Sequence, residues 1–246
     1  MAHVEVHDQD VELDAPVLVE GLPGVGLVGK ITSDHLVDQL GMDYYAACHC
    51  EGLPEAAVYR EGTSRFRPPI RLHADPEHDL LVLQSDVPIS PQAAPEFAGC
   101  LTGWLVDNDV TPLYLSGLPT EEKGDVPSMY GVATDGMDEL LEDHDIDPPN
   151  EHGLVSGPTG ALLHHAARSG LDALGLVVEA NANFPDPEAA RVLLTDAIEP
   201  IAGVEVGIDE LVDQAEQIRQ AKEQLAKQMQ QADEESTRAQ PTGMYQ

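Results

Sequence analysis

The sequence predicts an α/β protein: a three-layer sandwich on a mostly parallel sheet, with a helical extension at the C-terminus. Three observations predict it. Short apolar runs of strand length alternate with stretches of helical period between residues 15 and 202, the pattern of repeated β-α units. The run DLLVLQSD, at 79–86, is apolar enough for a central strand covered by helices on both sides. After Gly207 the chain turns polar and Gln-rich while keeping a helical apolar spacing. No composition break precedes about residue 205, so the domains expected are an α/β domain at 1–206, a helix at 207–236 and a flexible tail at 237–246.

Each element has its own signal. Residues 4–13 alternate loosely and suit an edge strand. The apolar run at 15–20 enters the glycine-rich stretch Gly21-Leu-Pro-Gly24-Val-Gly26-Leu-Val-Gly29-Lys30. From there Leu27, Ile31, His35/Leu36 and Leu40 fall at helical spacing, and Gly41 stops the helix. Strands are expected at 43–50, 70–73 and 80–84, then a helix at 91–107 with Ser90 as its cap and proline at its first position. A strand at 110–116 precedes a looser region, 118–150, holding one short helix at 137–143. Ser156-Gly-Pro-Thr159-Gly160 opens a helix running to about 169, followed by a strand at 173–179 and a helix at 187–202. In the extension, Ile208, Leu211, Ala215, Ile218, Leu225, Met229 and Ala232 keep a 3-4 spacing that Lys222 interrupts. That stripe suits either a short coiled coil or a helix folded back on its own domain.

Charge narrows the function classes. The 246 residues carry 45 Asp plus Glu against 12 Lys plus Arg, a formal net charge of −33. Such a surface repels phosphate backbones and anionic lipid, which weighs against nucleic-acid and membrane-surface partners. With 42% hydrophobic residues in periodic blocks, the charge does not signal disorder. It fits a protein working in concentrated salt, where a Debye length of roughly 3 Å at 1 M lets carboxylates crowd, as in a salt-accumulating halophile. An ordinary acidic protein is the plainer alternative. The opening residues MAHVEVHDQDVEL lack the basic and apolar regions of a secretory signal, and no apolar run approaches a bilayer span. Three cysteines, Cys48, Cys50 and Cys100, suggest no disulfide framework and fit a reducing cytoplasm, the expected location.

The glycine-rich stretch admits three readings. Gly24-Val-Gly26-Leu-Val-Gly29 spells the dinucleotide fingerprint between a strand and a helix, where backbone N–H groups meet a pyrophosphate. Gly24, Gly29 and Lys30 nearly spell a P-loop, but Ile31 stands where that loop needs Ser or Thr for Mg²⁺. Alternatively, the glycines simply let a helix pack closely on the sheet. Gly24, Gly26, Gly29 and Lys30 are thus the weak candidates for a cofactor or phosphate site. Cys48-His49-Cys50 cannot converge on a metal, because alternate strand residues face opposite sides. Thr159 could meet an anion at a helix start or simply belong to an N-cap. Neither a nucleophile elbow nor a triad spacing is present, and no catalytic residue is assigned. Arg60, Arg65, Arg67 and Arg71 hold a third of the basic residues. They could pair with an acidic surface of a neighbouring subunit, or locally with Glu55, Glu61 and Asp75.

Three of these motifs together resemble one family. The stretch from Gly21 to Gly29, then Ser156-Gly-Pro-Thr-Gly160-Ala-Leu-Leu, then Pro185-Asp186-Pro187-Glu-Ala-Ala190 are similar in order and spacing to archaeal members of the type-two proteasome assembly chaperone family, over about residues 10–220. The resemblance implies a fold like that of nucleoside phosphorylases, no cofactor, no catalysis, homo-oligomers of unstated count, and the packing reading of the glycines. The last residues, Met244-Tyr245-Gln246, look like the hydrophobic-tyrosine-any (HbYX) signature that docks on proteasome α subunits. By that resemblance Met244 fills an apolar groove, Tyr245 orders the gate region, and the Gln246 carboxylate meets a basic residue, with Pro241 and Gly243 keeping the tether extended. The implied role is an ATP-independent assembly chaperone or adaptor on the 20S α ring; the alternative is a phosphate- or nucleotide-binding enzyme using Gly24–Lys30.

Overall fold

Alternation along each central strand sends its apolar side chains to two separate cores. In the computed structural model, which describes residues 3–120 and 126–221, the strand β2 (Val17–Gly21) sends Leu18 to one face and Val19 to the other, both fully buried. Strand β7 (Leu80–Ser85) splits Leu80 and Val82 from Leu81 and Leu83, and β8 (Thr111–Thr120) splits Leu113 and Leu115 from Tyr114. A sheet buried on both faces needs a helical layer on each. On the first face lie α1 (Val28–Gln39) and α5 (Pro187–Leu193), contributing Leu36, Val37, Val192 and Leu193. On the second lie α2 (Ala94–Asp107) and α4 (Gly157–Ser169), contributing Phe97, Leu101, Leu162 and Ala166. This is the expected three-layer sandwich.

Among the described residues eight strands form the large sheet. Its remaining members are β1 (His3–Val6), β3 (Asp43–His49), β6 (Ile70–Asp75), β9 (Met129–Ala133) and β10 (Leu174–Asn181), in the order β1-β3-β6-β7-β2-β8-β10-β9. The four central strands β7, β2, β8 and β10 run parallel. Both flanks are antiparallel: β1, β3 and β6 on the β7 side, β9 against β10 on the other. The parallel part is therefore the helix-covered centre; on the flanks, only β6 and β7 are joined by a short connection, residues 76–79. A two-stranded hairpin, β4 (Val58–Tyr59) with β5 (Phe66–Arg67), stands apart from the sheet. Neither the hairpin nor β9 is evident in the sequence.

Helix boundaries differ from expectation where side-chain chemistry decides them. Ser90 caps a turn through Ala93 N–H and its own carbonyl, and α2 begins only at Ala94 with Pro95 in its first turn. The helix expected at 187–202 carries a π-turn, Leu194–Ile198, before α6 (Glu199–Ala202). Pro200 explains it: the ring has no N–H and crowds the preceding turn, and one wider turn absorbs the mismatch. The short helix α3 (Asp138–Asp143) falls where expected. Beyond Gly207, residues 209–221 are helical; Leu211 is buried in the first core, and the stripe positions Ala215 and Ile218 are half-buried. His35 on α1 hydrogen-bonds the Gly207 carbonyl at 2.6 Å, fixing the start of this segment to the domain. The rest of the extension and the tail lie outside the described residues.

The cysteine expectation is corrected. Cys50, just past β3, and Cys100, on α2, form a disulfide with their Cα atoms 5.9 Å apart. A separation of 50 residues hid the pairing, which exists only because α2 covers the β3 end of the second face. Cys48 remains a free thiol, buried in the same core, where desolvation pushes its pKa up to about 12. The cysteines accordingly supply no argument for a reducing compartment. Closing a loop of this length is worth about 4 kcal/mol in the chain-entropy model. Thiol titration of the denatured, unreduced protein should count one thiol, rising to three with reductant, and the reductant should lower the melting temperature by several degrees. Three thiols before reduction would refute the bond.

Candidate functional site

The glycine-rich stretch folds onto the C-terminal ends of the central strands. Gly21 ends β2, and a Cβ there would lie 2.2 Å from the Ser33 hydroxyl of α1 and 2.5 Å from the Leu83 carbonyl of β7. Gly29 sits 3.0 Å, by the same measure, from the Leu22 carbonyl. These two glycines let α1 pass against β2 and the chain that leaves it. Gly26 has a φ of +64°, inside a 3₁₀ turn at Val25–Leu27, and it is wedged between Ala180 of β10 and Asp186. Gly24 has open space around it. Gly117 of β8, which sequence reasoning missed, lets the Val25 carbonyl approach: a Cβ there would lie 2.4 Å from it. The loop itself therefore occupies the sheet-end position where open α/β sheets commonly receive ligands. Lys30 turns away from it into an ion pair with Asp34, Nζ to Oδ1 2.6 Å, with Asp86 at 3.6 Å.

The other two motifs meet this loop. Asp186, from the Pro-Asp-Pro stretch, donates its backbone N–H to the Gly26 carbonyl at 2.8 Å. Its carboxylate accepts from Asn181 N–H at 2.7 Å and from Ala189 N–H at 3.3 Å, capping α5. Thr159, in the first turn of α4, donates its hydroxyl to the Glu20 carboxyl group at 3.2 Å. Glu20 is fully buried near the end of β2 and also accepts from Leu115 N–H at 2.9 Å and Leu22 N–H at 3.2 Å. So the anion that Thr159 meets belongs to the chain. Burial raises the Glu20 pKa, the three hydrogen bonds pull it back, and the balance stands at about 7. A single acid at a strand end carries no sequence signal of such burial.

A second polar cluster lies on the antiparallel flank. Arg71 of β6 is almost fully buried; its guanidinium donates to Asp86, to the Pro68 carbonyl and to Gln84 Oε1 at 2.9 Å, and its Nε to His73 Nε2 at 3.3 Å. His73 therefore carries its proton on Nδ1, which faces the Met42 carbonyl at 3.3 Å. Burial, reinforced by Arg71, Arg60 and Arg67, lowers the His73 pKa to about 4. Gln84 passes the chain on to Asp34, the partner of Lys30. Elsewhere, His49 faces Glu5 at 3.3 Å and Asp75 pairs with His78; the local pairing expected of the arginines with Glu55, Glu61 or Asp75 is not formed, and Arg71 pairs with Asp86 instead. Met244, Tyr245 and Gln246 lie outside the described residues.

This geometry defines a class: a doubly covered α/β sheet whose ligand-facing end is closed by its own glycine loop and latched by Glu20–Thr159 and Gly26–Asp186. The family follows from comparison: residues 18–226 match the model of the PAC2 family, and the chain belongs to it. An uncharacterized protein of Methanocaldococcus jannaschii is 28% identical over 224 residues, covering 91% of this chain and 90% of that one. The crystal structure of Pyrococcus furiosus PbaA, described as an archaeal homolog of proteasome-assembly chaperone, superposes with a TM-score of 0.78 at 25% identity, covering 95% of this chain and 96% of PbaA. Pyrococcus furiosus PbaB, described as an archaeal proteasome activator, shares the fold with a TM-score of 0.77 at 21% identity, over 92% and 98% of the two chains.

Two measurements test this description. Gly21→Ala, which overpacks the α1–β2 contact, should cost about 2 kcal/mol in urea unfolding. Glu20 should give the native state a pH signature. Between pH 4.5 and 7 the native carboxyl holds a proton that the unfolded chain has lost, so its contribution to stability is full below 4.5 and is lost as pH rises through 7. Relative to the wild type, Glu20→Gln should therefore gain about 3 kcal/mol between pH 4.5 and 8. His73 has the opposite sign between 4 and 6.5, and it cancels because both chains carry it. An unchanged difference between the two pH values would rule out titration of Glu20 in this window.

Proposed function

We propose that this protein is an ATP-independent proteasome assembly chaperone or proteasome-binding adaptor. The observation that carries the reading is the match to PbaA over nearly the full length of both chains, since PbaA is described as an archaeal homolog of proteasome-assembly chaperone. Family membership over residues 18–226 supports it, as does the C-terminal sequence Met244-Tyr245-Gln246. In this proposal the tail docks on the 20S α ring, with Met244 and Tyr245 as apolar anchors and the Gln246 carboxylate reaching a basic residue. Several subunits of a homo-oligomer would present their tails together, and effective concentration would turn weak single contacts into stable binding. The acid balance suits a host cytoplasm rich in salt, such as that of a haloarchaeon.

In this role the protein is a binding factor without catalysis. What favours this over a nucleotide enzyme is the occupied loop: Gly21 and Gly29 are needed for packing, Gly26 for a turn, and Lys30 faces Asp34 and Asp86.

Deleting Met244–Gln246 should reduce capture of proteasome α subunits from a high-salt lysate at least about tenfold, with the circular dichroism spectrum and sedimentation coefficient unchanged; equal capture would eliminate tail docking. Millimolar ATP, NAD, or nucleoside with phosphate should leave the melting temperature unmoved. A ligand present at a hundred times its Kd would stabilise the native state by about 2.7 kcal/mol, so a rise of several degrees would favour the enzyme reading.

A further inference from the structure

Positive charge is scarce in this chain, yet it converges on one cavity. The β4–β5 hairpin overhangs β3 and β6, leaving a pocket of about 220 Å³. Arg60, Arg65, Arg67 and Arg71 line it together with Tyr44 and His73, and no carboxylate lines it among the described residues. Arg71 is the buried floor, already paired with Asp86. The other three guanidinium groups form no ion pair with any described residue, although acids outnumber basic residues 45 to 12 in the chain. Arg67 is held in place by stacking over the Tyr44 ring, 4.2 Å from its centroid. The nearest acid, Asp86, feels Arg60 but is already paired with Arg71 and Lys30, so an anion entering the cavity would meet three guanidinium groups that have no ion-pair partner of their own among the described residues.

We propose that this hairpin pocket binds a phosphoryl group. A carboxylate offers two oxygens and one charge, whereas a phosphoryl group offers three acceptor oxygens and a charge near −2 in one compact centre. Three unpaired guanidinium forks match the latter. The fixed plane of Arg67 reduces the ordering cost, and His73 beside the floor, kept neutral by burial, adds no charge of its own. The volume admits a group the size of pyrophosphate, held either as the free ion or as the diphosphate of a nucleotide. The residues that line this site belong to β3, β6 and the hairpin and include none of Gly24–Lys30, although Asp86 joins its floor, Arg71, to Lys30.

The test uses the full chain in KCl at constant ionic strength, titrated calorimetrically with inorganic phosphate, pyrophosphate, ADP and malonate. One saturable pyrophosphate site is expected, weakened at least about tenfold in the Arg60→Ala/Arg65→Ala variant, whose substitutions lie on the exposed hairpin and leave both cores intact. Lys30→Ala should keep the affinity within about twofold. ADP binding more tightly than pyrophosphate would support the site with a nucleotide as its source, and equal affinities would support it with the free ion. Absence of saturable binding to phosphate, pyrophosphate and ADP would overturn the proposal. So would malonate binding as tightly as pyrophosphate, or a loss in Lys30→Ala equal to that in the double arginine variant.

Discussion

Glu20 places a carboxyl group at zero exposure near the end of the central strand, and much of the fold is arranged to make that tolerable. Burying an uncompensated carboxylate is costly enough that a protein either supplies donors or keeps the group protonated. Here β8 supplies Leu115 N–H, the strand exit supplies Leu22 N–H, and α4 supplies the Thr159 hydroxyl. The carboxyl thus ties the strand to its neighbour and to a helix of the second layer. On the first layer the Gly26–Asp186 bond does the corresponding work, tying the loop to the start of α5. With both ties made, the loop is a packed part of the domain, and Gly21 and Gly29 are fixed by the distance of closest approach.

Much of this fold was legible in the order of apolar runs, because a central strand such as β7 must be apolar on both faces and a helix must repeat at its own period. The flanks were harder to read. The β4–β5 hairpin has two residues per strand, too few to show alternation, and Gly131 of β9 packs against Leu141 and Ile146 rather than advertising a strand. For the site, the three motifs could be read as strings, but their mutual contacts are properties of topology. Thr159 and Glu20 lie 139 residues apart. Arg71 illustrates the same limit: in sequence it is one of four neighbouring arginines, while in the fold it lies in β6, buried on both faces from Ile70 to Ala74, and Arg60 and Arg65 stay exposed between β4 and β5.

Charge separates into two regimes. The acid-rich surface is screened wherever salt is concentrated, and pairs there count for little. The Arg71–Asp86 pair lies with one partner buried and the other about one-fifth exposed, where salt reaches poorly. Recognition by an acidic chain of this kind therefore rests on a few apolar anchors or on isolated clusters of basic residues, and not on a broad complementary field.

The parallel centre also has a temporal consequence. Strand β2 is synthesised before both of the strands it pairs with: Val17 pairs with Leu80 on one side and Thr111 on the other. Thr159 follows later still. A nascent β2 thus waits with its edges unpaired and Glu20 in water, while the local β6–β7 hairpin can already close. The hydration that keeps Glu20 ionised in that interval makes premature burial of this strand unfavourable, so the same carboxyl that latches the finished domain acts as a solubilising guard on the unfinished one.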